Sequence, residues 1–302
     1  MPFTLIKGTF RLVNCTKKGT PTGFEPDGDS IQFKPDTPAL LDRLTRLQQP
    51  YRLTNIGSTQ LRIEGLDALE IHFQPTKGGP RSHQPFALAA EARDFLTGRL
   101  GLNPVPYAPP KNTCVKPPVP HDGTRGYILS RSLEVHGRPV SFVFAGNTPT
   151  KDGADVHLTV PLLTRSLNYQ IVQSGEAYPL FYDTLFAELR NALTVAARQA
   201  RKAKCGLWGQ DKTQVGLKVA NQIDLETNGV IFPKLFRRLT DYLAETKSTT
   251  LDKFPAWLAA KGEQVLDLDT KNFTHFDNVV SVKNGKVSLK CLPERIVFVS
   301  EK

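Results

Sequence analysis

Residues 61–70 read LRIEGLDALE, and this stretch sets the interpretation of the whole chain. Apolar and polar side chains alternate at its start, which is the pattern of a half-buried strand. Where the strand ends, Asp67 and Glu70 place two carboxylates three residues apart. Such charges fit either a surface hairpin or an active site at the end of a strand, and the rest of the chain has to distinguish the two.

Length and composition indicate a folded protein with more than one domain. The chain has 302 residues, whereas a single hydrophobic core rarely grows beyond about 250–300 residues. Hydrophobic residues make up 39% and charged residues 23%, as in folded globular proteins. No apolar run approaches the ~20 residues of a membrane span, and the N-terminus lacks the pattern of a secretory signal. We therefore expect a cytoplasmic protein without a membrane partner.

The net charge favours a polyanionic partner. The formal charge is +10, and a positive field raises both the encounter rate with phosphate backbones and the affinity for them. Nucleic acid is the partner that this charge favours, although the same charge also fits a basic protein without one. The four cysteines form no Cys-x-x-Cys pair, which argues against a zinc ribbon and a disulfide framework.

Strand patterns come first along the chain and helical patterns later, which is an α+β order. Short strands are predicted at 8–13, 30–34, 60–66, 126–134 and 139–145. Helical periodicity covers 38–48, 86–100, 159–173 and 183–204. Five strands with turn-rich connections predict a small β-barrel with packed helices.

Two segments between these elements are predicted as long loops. Residues 101–120 carry seven prolines, and residues 74–85, directly after Glu70, are rich in glycine and proline. A loop as long as 101–120 is uncommon unless it has a function.

The pattern restarts after residue 211. Helices are predicted at 233–246 and 252–261, and Asn284-Gly285 predicts the turn of a hairpin. We therefore predict two domains, which are a barrel domain over 1–211 and a smaller α+β domain over 212–302.

Carboxylates and arginines supply a possible hydrolytic site. The motif DGDS at 27–30 starts one predicted strand, and Asp67 and Glu70 end another. Each alone fits an ordinary turn, but two Asp side chains and a carbonyl also suit Ca²⁺. Glu70 would then orient or deprotonate a water molecule. Arg62 and Arg138 offer planar forks for phosphate oxygens, so the set suits attack by water on a phosphodiester.

These motifs occur in an order that resembles the staphylococcal nuclease family. The series is DGDS (27–30), LRIEGLDALE (61–70), FALAAEARDFL (86–96), HGRPVSFVF (136–144), LNYQIVQSGEAYP (167–179) and ARQARKAKCGLWG (197–209). The resemblance covers about residues 8–210 and implies a five-stranded OB-type barrel with helices packed on it.

The resemblance also implies roles for individual residues. It assigns metal binding to Asp29, Asp67 and the backbone carbonyl of Ala68, with Asp27 supporting them. It assigns catalysis to Arg62, Glu70 and Arg138. Tyr178, Phe181 and Tyr182 stand where the family places rings near the nucleotide, so they are candidates for base stacking, and core packing is the alternative for each.

The implied activity is that of a Ca²⁺-dependent nuclease, with Mg²⁺ and Mn²⁺ as alternative metals. It would hydrolyse DNA, RNA or both, leave 3′-phosphate ends and favour single strands. An alternative is an inactive scaffold that binds nucleic acid or protein, because Leu69 stands where the family commonly has proline. Residues 212–302 match no family that we recognise, and their open roles are substrate contact, a protein partner or packing.

Overall fold

The computed structural model describes residues 2–16, 18, 20–45, 48–102, 107–108, 113–114 and 123–300. Most of the predicted loop at 101–120 therefore lies outside the described residues. The chain forms two compact units, and each is described by itself. The barrel unit comprises Met1–Glu64 and Arg93–Ile171, and the second unit comprises Gly65–Ala92 and Val172–Ser300. These units do not divide at residue 211, and a domain boundary there stays a prediction.

The strands are, in chain order, β1 (Phe3–Arg11), β2 (Val13–Cys15), β3 (Pro21–Gly23), β4 (Ser30–Pro35), β5 (Thr59–Ile63), β6 (Leu66–Ala68), β7 (Tyr107–Ala108), β8 (Thr113–Cys114), β9 (Thr124–Leu133), β10 (Pro139–Ala145), β11 (Asp155–Val156), β12 (Ala177–Pro179), β13 (Phe181–Tyr182), β14 (Leu217–Lys218), β15 (Gln264–Asp267), β16 (Asn272–His275), β17 (Val280–Lys283), β18 (Lys286–Leu289) and β19 (Ile296–Phe298). The α-helices are α1 (Phe86–Arg99), α2 (Val160–Leu163), α3 (Leu167–Ser174), α4 (Ala187–Lys202), α5 (Gln222–Asn228), α6 (Pro233–Thr246), α7 (Phe254–Ala259) and α8 (Phe276–Val279). Short 3₁₀ helices cover Pro38–Arg43, Gly206–Gly209 and Pro293–Arg295.

Five strands close into a barrel, as predicted. Their order is β1-β4-β5-β10-β9, and β9 also pairs with β1, so the sheet has no open edge within this set. The β5–β10 pair is parallel and the other four pairs are antiparallel. The closed barrel with accompanying helices confirms the α+β class that the sequence predicted.

Large aromatic side chains fill the barrel interior. The Phe10 and Phe33 rings lie 5.0 Å apart and are fully buried. Gly126 on β9 leaves the space for this packing, because a Cβ atom there would lie 2.3 Å from the Phe10 ring and 2.4 Å from the Phe144 carbonyl oxygen. A side chain at position 126 would force the barrel strands apart.

Asn168 holds the parallel strand pair from α3. Its side-chain oxygen accepts a hydrogen bond from the Val143 amide at 2.8 Å, and its amide group donates to the carbonyls of Glu64 at 2.8 Å and Ser141 at 3.0 Å. The side chain is fully buried, so these bonds satisfy polar groups that water does not reach. The Asn of the LNYQ segment therefore has a structural task in the barrel unit.

Two helix predictions need correction. The helix predicted at 159–173 is two helices, α2 and α3, because Ser166 interrupts it and accepts a hydrogen bond from the Tyr169 amide at 3.2 Å, as a helix cap does. Of the helix predicted at 38–48, the structure has the 3₁₀ helix Pro38–Arg43, and residues 46 and 47 lie outside the described residues.

The second unit combines α4, the later helices and small sheets. Its sheets have the orders β13-β19-β15-β16, β14-β18-β17 and β12-β6. Tyr178, Phe232, Phe298 and Phe276 form a chain of ring contacts with successive centroid distances of 6.0, 6.4 and 5.2 Å. Residues on both sides of position 211 therefore share one aromatic core. In the part of the chain that the structure describes, no helix has the length and apolarity to cross a membrane.

Candidate functional site

In the barrel unit, Arg62 and Asp29 form an ion pair. The pairing of β4 with β5 sets Ser30 opposite Arg62, and Arg62 Nη1 lies 2.8 Å from Asp29 Oδ2. Both side chains are largely shielded, at 20% and 11% exposed. Asp27 lies two residues before Asp29 in the chain and is partly exposed. The predicted phosphate-binding arginine and a predicted metal ligand are thus neighbours.

Arg138 has an acidic partner that the sequence did not identify. The turn between β9 and β10 brings the Arg138 backbone amide to 3.0 Å from Glu134 Oε1, and Arg138 Nε lies 3.3 Å from the same oxygen. The Arg138 side chain remains 30% exposed. The arginine is therefore oriented by Glu134 and still open to solvent.

In the second unit, Asp67 and Glu70 converge on one positive group, the guanidinium of Arg237. Asp67 lies on β6 opposite Tyr178 of β12, and its side chain is fully buried. Arg237 Nη1 donates to Asp67 Oδ1 at 3.0 Å, and Nη2 donates to Oδ2 at 2.9 Å. Arg237 Nη1 also donates to Glu70 Oε1, whose side chain is 15% exposed. One arginine thus binds both predicted carboxylates.

The electrostatics of this cluster favour the charged arginine. Burial alone would lower the pKa of Arg237, but the negative charges of Asp67 and Glu70 outweigh burial and raise that pKa well above its ordinary value. Sequence reasoning names Arg237 among the basic residues of 212–302 that could contact substrate or a partner or pack, and it does not place Arg237 at Asp67 and Glu70. The available signal was that Lys234, Arg237 and Arg238 follow an i, i+3, i+4 spacing in the predicted helix, which puts three cations on one face.

The other two cations of α6 bind Glu263. Arg238 Nε and Nη2 lie 2.7 Å from the two Glu263 oxygens, and Lys234 Nζ lies 2.7 Å from Oε1. Burial alone would raise the pKa of Glu263, but the hydrogen bonds from Arg238 and the charge of Lys234 lower it to about 2. Helix α6 is therefore anchored by ion pairs separate from those of Arg237.

Gln84 fixes the backbone at Glu70. The Glu70 amide donates to Gln84 Oε1 at 3.2 Å, and the Gln84 amide donates to the Glu70 carbonyl at 2.8 Å. Gln84 in turn donates its Nε2 to the carbonyls of Gly229 and Ile231 at 2.7 and 2.8 Å. Leu69 is fully buried. Hydrogen bonds from the predicted loop 74–85 therefore restrain Glu70 where the resembled family commonly uses a proline.

The predicted stacking residues are mostly in the core. Tyr178 and Phe181 are 0% exposed, and the Tyr178 hydroxyl donates to Asp211 Oδ1 at 2.7 Å. A fully buried ring has no face for a base, so this conformation supports core packing for both residues. Tyr182 is partly exposed, and Lys234 Nζ lies 5.8 Å from its ring centroid. Stacking stays a prediction for Tyr182.

The second unit brings two oxygen donors of the type that a divalent cation uses to one place, and these two are Asp67 and Glu70. Two carboxylates already point at one positive group, and carboxylate oxygens are ligands that Ca²⁺ and Mg²⁺ prefer. Arg237 and a metal ion would use the same oxygens, so they are alternative occupants. Ala68, the predicted carbonyl ligand, is buried and paired with Ala177. Among the residues that the structure describes, no group of three or more His, Cys, Asp or Glu side chains is placed to hold a metal.

Comparison with known proteins adds no family to this description. No protein-family model matches the chain, and no curated protein shows a significant match to it.

Proposed function

We propose that the chain is a metal-dependent nuclease of the staphylococcal nuclease type, built on an OB-type barrel. The observation that carries the proposal is the convergence of Asp67 and Glu70 on a single cationic group at the end of β6. Carboxylates at the end of a strand are ligands that a catalytic metal ion uses, and the positive group now beside them is the Arg237 guanidinium. The ion pair of Arg62 with Asp29 adds a second acidic and basic pair from the predicted set.

The proposed roles are those that the resemblance implies, and the chemistry of each side chain supports them. Asp29 and Asp67 would hold the cation, Ca²⁺ first with Mg²⁺ and Mn²⁺ as alternatives, and the bound ion would polarise the phosphate and lower the pKa of a water. Glu70 would orient that water and accept its proton. Arg62 and Arg138 would bind the phosphate oxygens through their forks. Arg138, 30% exposed, is accessible to a substrate in the described conformation.

The proposed substrate is DNA or RNA, with single strands preferred. The charge of +10 favours phosphate backbones, and a flexible strand brings its phosphate to a fixed arginine more readily than a rigid duplex does. A cytoplasmic location and a protein partner for residues 212–302 stay predictions.

Cleavage assays test this proposal. Single-stranded DNA, duplex DNA and RNA are incubated with the full chain and Ca²⁺, Mg²⁺, Mn²⁺ or EDTA, and the ends of the products are determined. We expect metal-dependent cleavage with 3′-phosphate ends that falls by about 10²-fold or more in Glu70→Gln and Arg138→Ala. Glu245→Gln and Arg52→Ala are matched controls, because neither residue belongs to the proposed site. Cleavage that persists in EDTA or in Glu70→Gln would contradict the assigned chemistry.

A nucleic-acid-binding scaffold without hydrolysis is the second candidate. It is favoured by the ion pairs that engage the predicted functional groups, namely Arg62 with Asp29, Arg138 with Glu134, and Arg237 with Asp67 and Glu70. Salt-sensitive binding of single strands without cleavage under any metal would support the scaffold and reject the nuclease.

A further inference from the structure

We propose that Arg237 occupies the carboxylate pair Asp67 and Glu70, and that by binding Asp67, a proposed metal ligand, it excludes divalent metal until it leaves. This inference rests on the nuclease proposed above for its consequence, which is an enzyme whose own C-terminal region raises the metal concentration that cleavage needs. The exclusion of metal itself is tested by measuring metal affinity, which requires no catalysis.

The geometry supports exclusion. The two terminal nitrogens of Arg237 bind both oxygens of Asp67 at 3.0 and 2.9 Å, and one of them also binds Glu70. A Ca²⁺ ion needs six to eight oxygen ligands at about 2.3–2.6 Å, and a guanidinium in bidentate contact leaves no direct approach to Asp67. The arginine side chain is 18% exposed, so the cluster is also shielded from solvent.

The energetics set the size of the effect. Removing one partner from a buried ion pair is strongly unfavourable. The usual free-energy cost of this loss corresponds to about 10²–10³-fold in an equilibrium constant. If metal has to displace Arg237, its apparent affinity falls by the same factor, because only the arginine-free fraction is competent to bind. A site of about micromolar intrinsic affinity would then bind at about millimolar metal.

Other contacts hold α6 in place when the Arg237 side chain is replaced. Lys234 and Arg238 bind Glu263, and the Thr76 amide donates to Asp241 Oδ1 at 2.8 Å. These contacts do not involve Asp67 or Glu70. Replacing the Arg237 side chain therefore opens the carboxylate pair while the helix keeps its other anchors.

Terbium luminescence tests the exclusion directly, since Tb³⁺ substitutes for Ca²⁺ and is sensitised by nearby tyrosine. The full chain is titrated with Tb³⁺ as wild type, Arg237→Gln, Arg237→Lys and the control Arg238→Gln, which removes a cation of the same helix that binds Glu263 instead. Circular dichroism establishes that each variant is folded. We expect Arg237→Gln to bind Tb³⁺ about 10²–10³-fold more tightly than wild type, and Arg238→Gln to stay within a few-fold of wild type. Adding Asp67→Asn to Arg237→Gln should remove the new site.

Two results would overturn the inference. One is wild-type chain that binds Tb³⁺ through Asp67 as tightly as Arg237→Gln does, and the other is folded Arg237→Gln that gains no affinity. If Arg237→Gln does not fold, Arg237→Lys carries the test, because a single ammonium cannot bind both Asp67 oxygens in the same fork geometry and should give an intermediate gain. Equal Tb³⁺ affinities of Arg237→Lys and wild type would then reject the proposal.

Cleavage by the same proteins separates this inference from the nuclease proposal. Arg237→Gln that binds Tb³⁺ tightly but cleaves nothing with Ca²⁺, Mg²⁺ or Mn²⁺ supports exclusion and rejects the nuclease. Wild type that cleaves as fast as Arg237→Gln supports the nuclease and rejects exclusion.

Discussion

Replacing Arg237 with methionine should strongly destabilise the protein. Methionine keeps much of the side-chain volume, so the loss reports the missing charge and not a cavity. The variant leaves Asp67, which is fully buried, and Glu70, which is 15% exposed, without their common cation. Breaking a buried pair in this way costs about 3–5 kcal/mol in the free energy of unfolding.

A double-mutant cycle with Asp67→Asn measures the coupling energy between Arg237 and Asp67. Urea denaturation at pH 7 gives the free energy of unfolding of wild type, Arg237→Met, Asp67→Asn and the double variant. The coupling energy between the two positions should be about 1–3 kcal/mol, since the residues share two charge-assisted hydrogen bonds. A loss below about 1 kcal/mol in Arg237→Met, or single-variant losses that simply add, would show that the ion pair does not stabilise the fold as the geometry indicates.

Three further predictions concern groups outside that pair. Glu263→Gln should lower the free energy of unfolding by about 3 kcal/mol at pH 7, because the pKa of Glu263 is lowered from 4.5 to about 2. This contribution is present above about pH 4.5 and is lost as pH falls toward 2. A difference in urea midpoint between wild type and variant that is the same at pH 7 and pH 2 would contradict it. Burial, and then the charge of Glu91, raises the pKa of Glu176 to about 7, so wild type should lose stability as pH rises from about 4.5 to 7; Glu176→Gln should melt at a higher temperature than wild type at pH 8 and at the same temperature at pH 4. Asn168→Ala removes two buried hydrogen bonds and one partly buried hydrogen bond, and it should lower the free energy of unfolding by about 3 kcal/mol. Hydrogen exchange at the Val143 amide should accelerate, and unchanged protection there would show that Asn168 does not hold the strand pair.

The elements of the fold could largely be predicted from local patterns. The bounds of α6 agree with the predicted 233–246, and the strand predicted at 139–145 agrees with β10. Asn284-Gly285 forms the predicted hairpin turn, with both residues at positive φ of 52° and 70°. Hydrophobic periodicity and turn-forming residues act over a few neighbouring positions, so they can be identified from the sequence without knowledge of distant contacts. Ser166 is a residue type that often begins a helix, but the apolar periodicity continues on both sides of it and therefore predicts one helix instead of α2 and α3.

The partners of the site residues could not be predicted in the same way. Arg237 and Asp67 are 170 residues apart. The spacing of the α6 cations predicts a cationic helix face, but it does not indicate which carboxylates that face contacts. Gln84 and Glu134 likewise gain their meaning only from folded geometry, as hydrogen-bond partners of Glu70 and Arg138. The resemblance names the predicted site residues, and it does not indicate which charges neutralise them.

The distance along the chain between Asp67 and Arg237 also matters during synthesis. A ribosome adding about 5–20 residues per second needs about 10–30 s to pass from one residue to the other, a separation of 170 positions. Throughout that interval the nascent chain carries the carboxylate pair without its arginine. Arg237 therefore reaches the two carboxylates late in synthesis, and a chain released before residue 237 would lack this counter-charge.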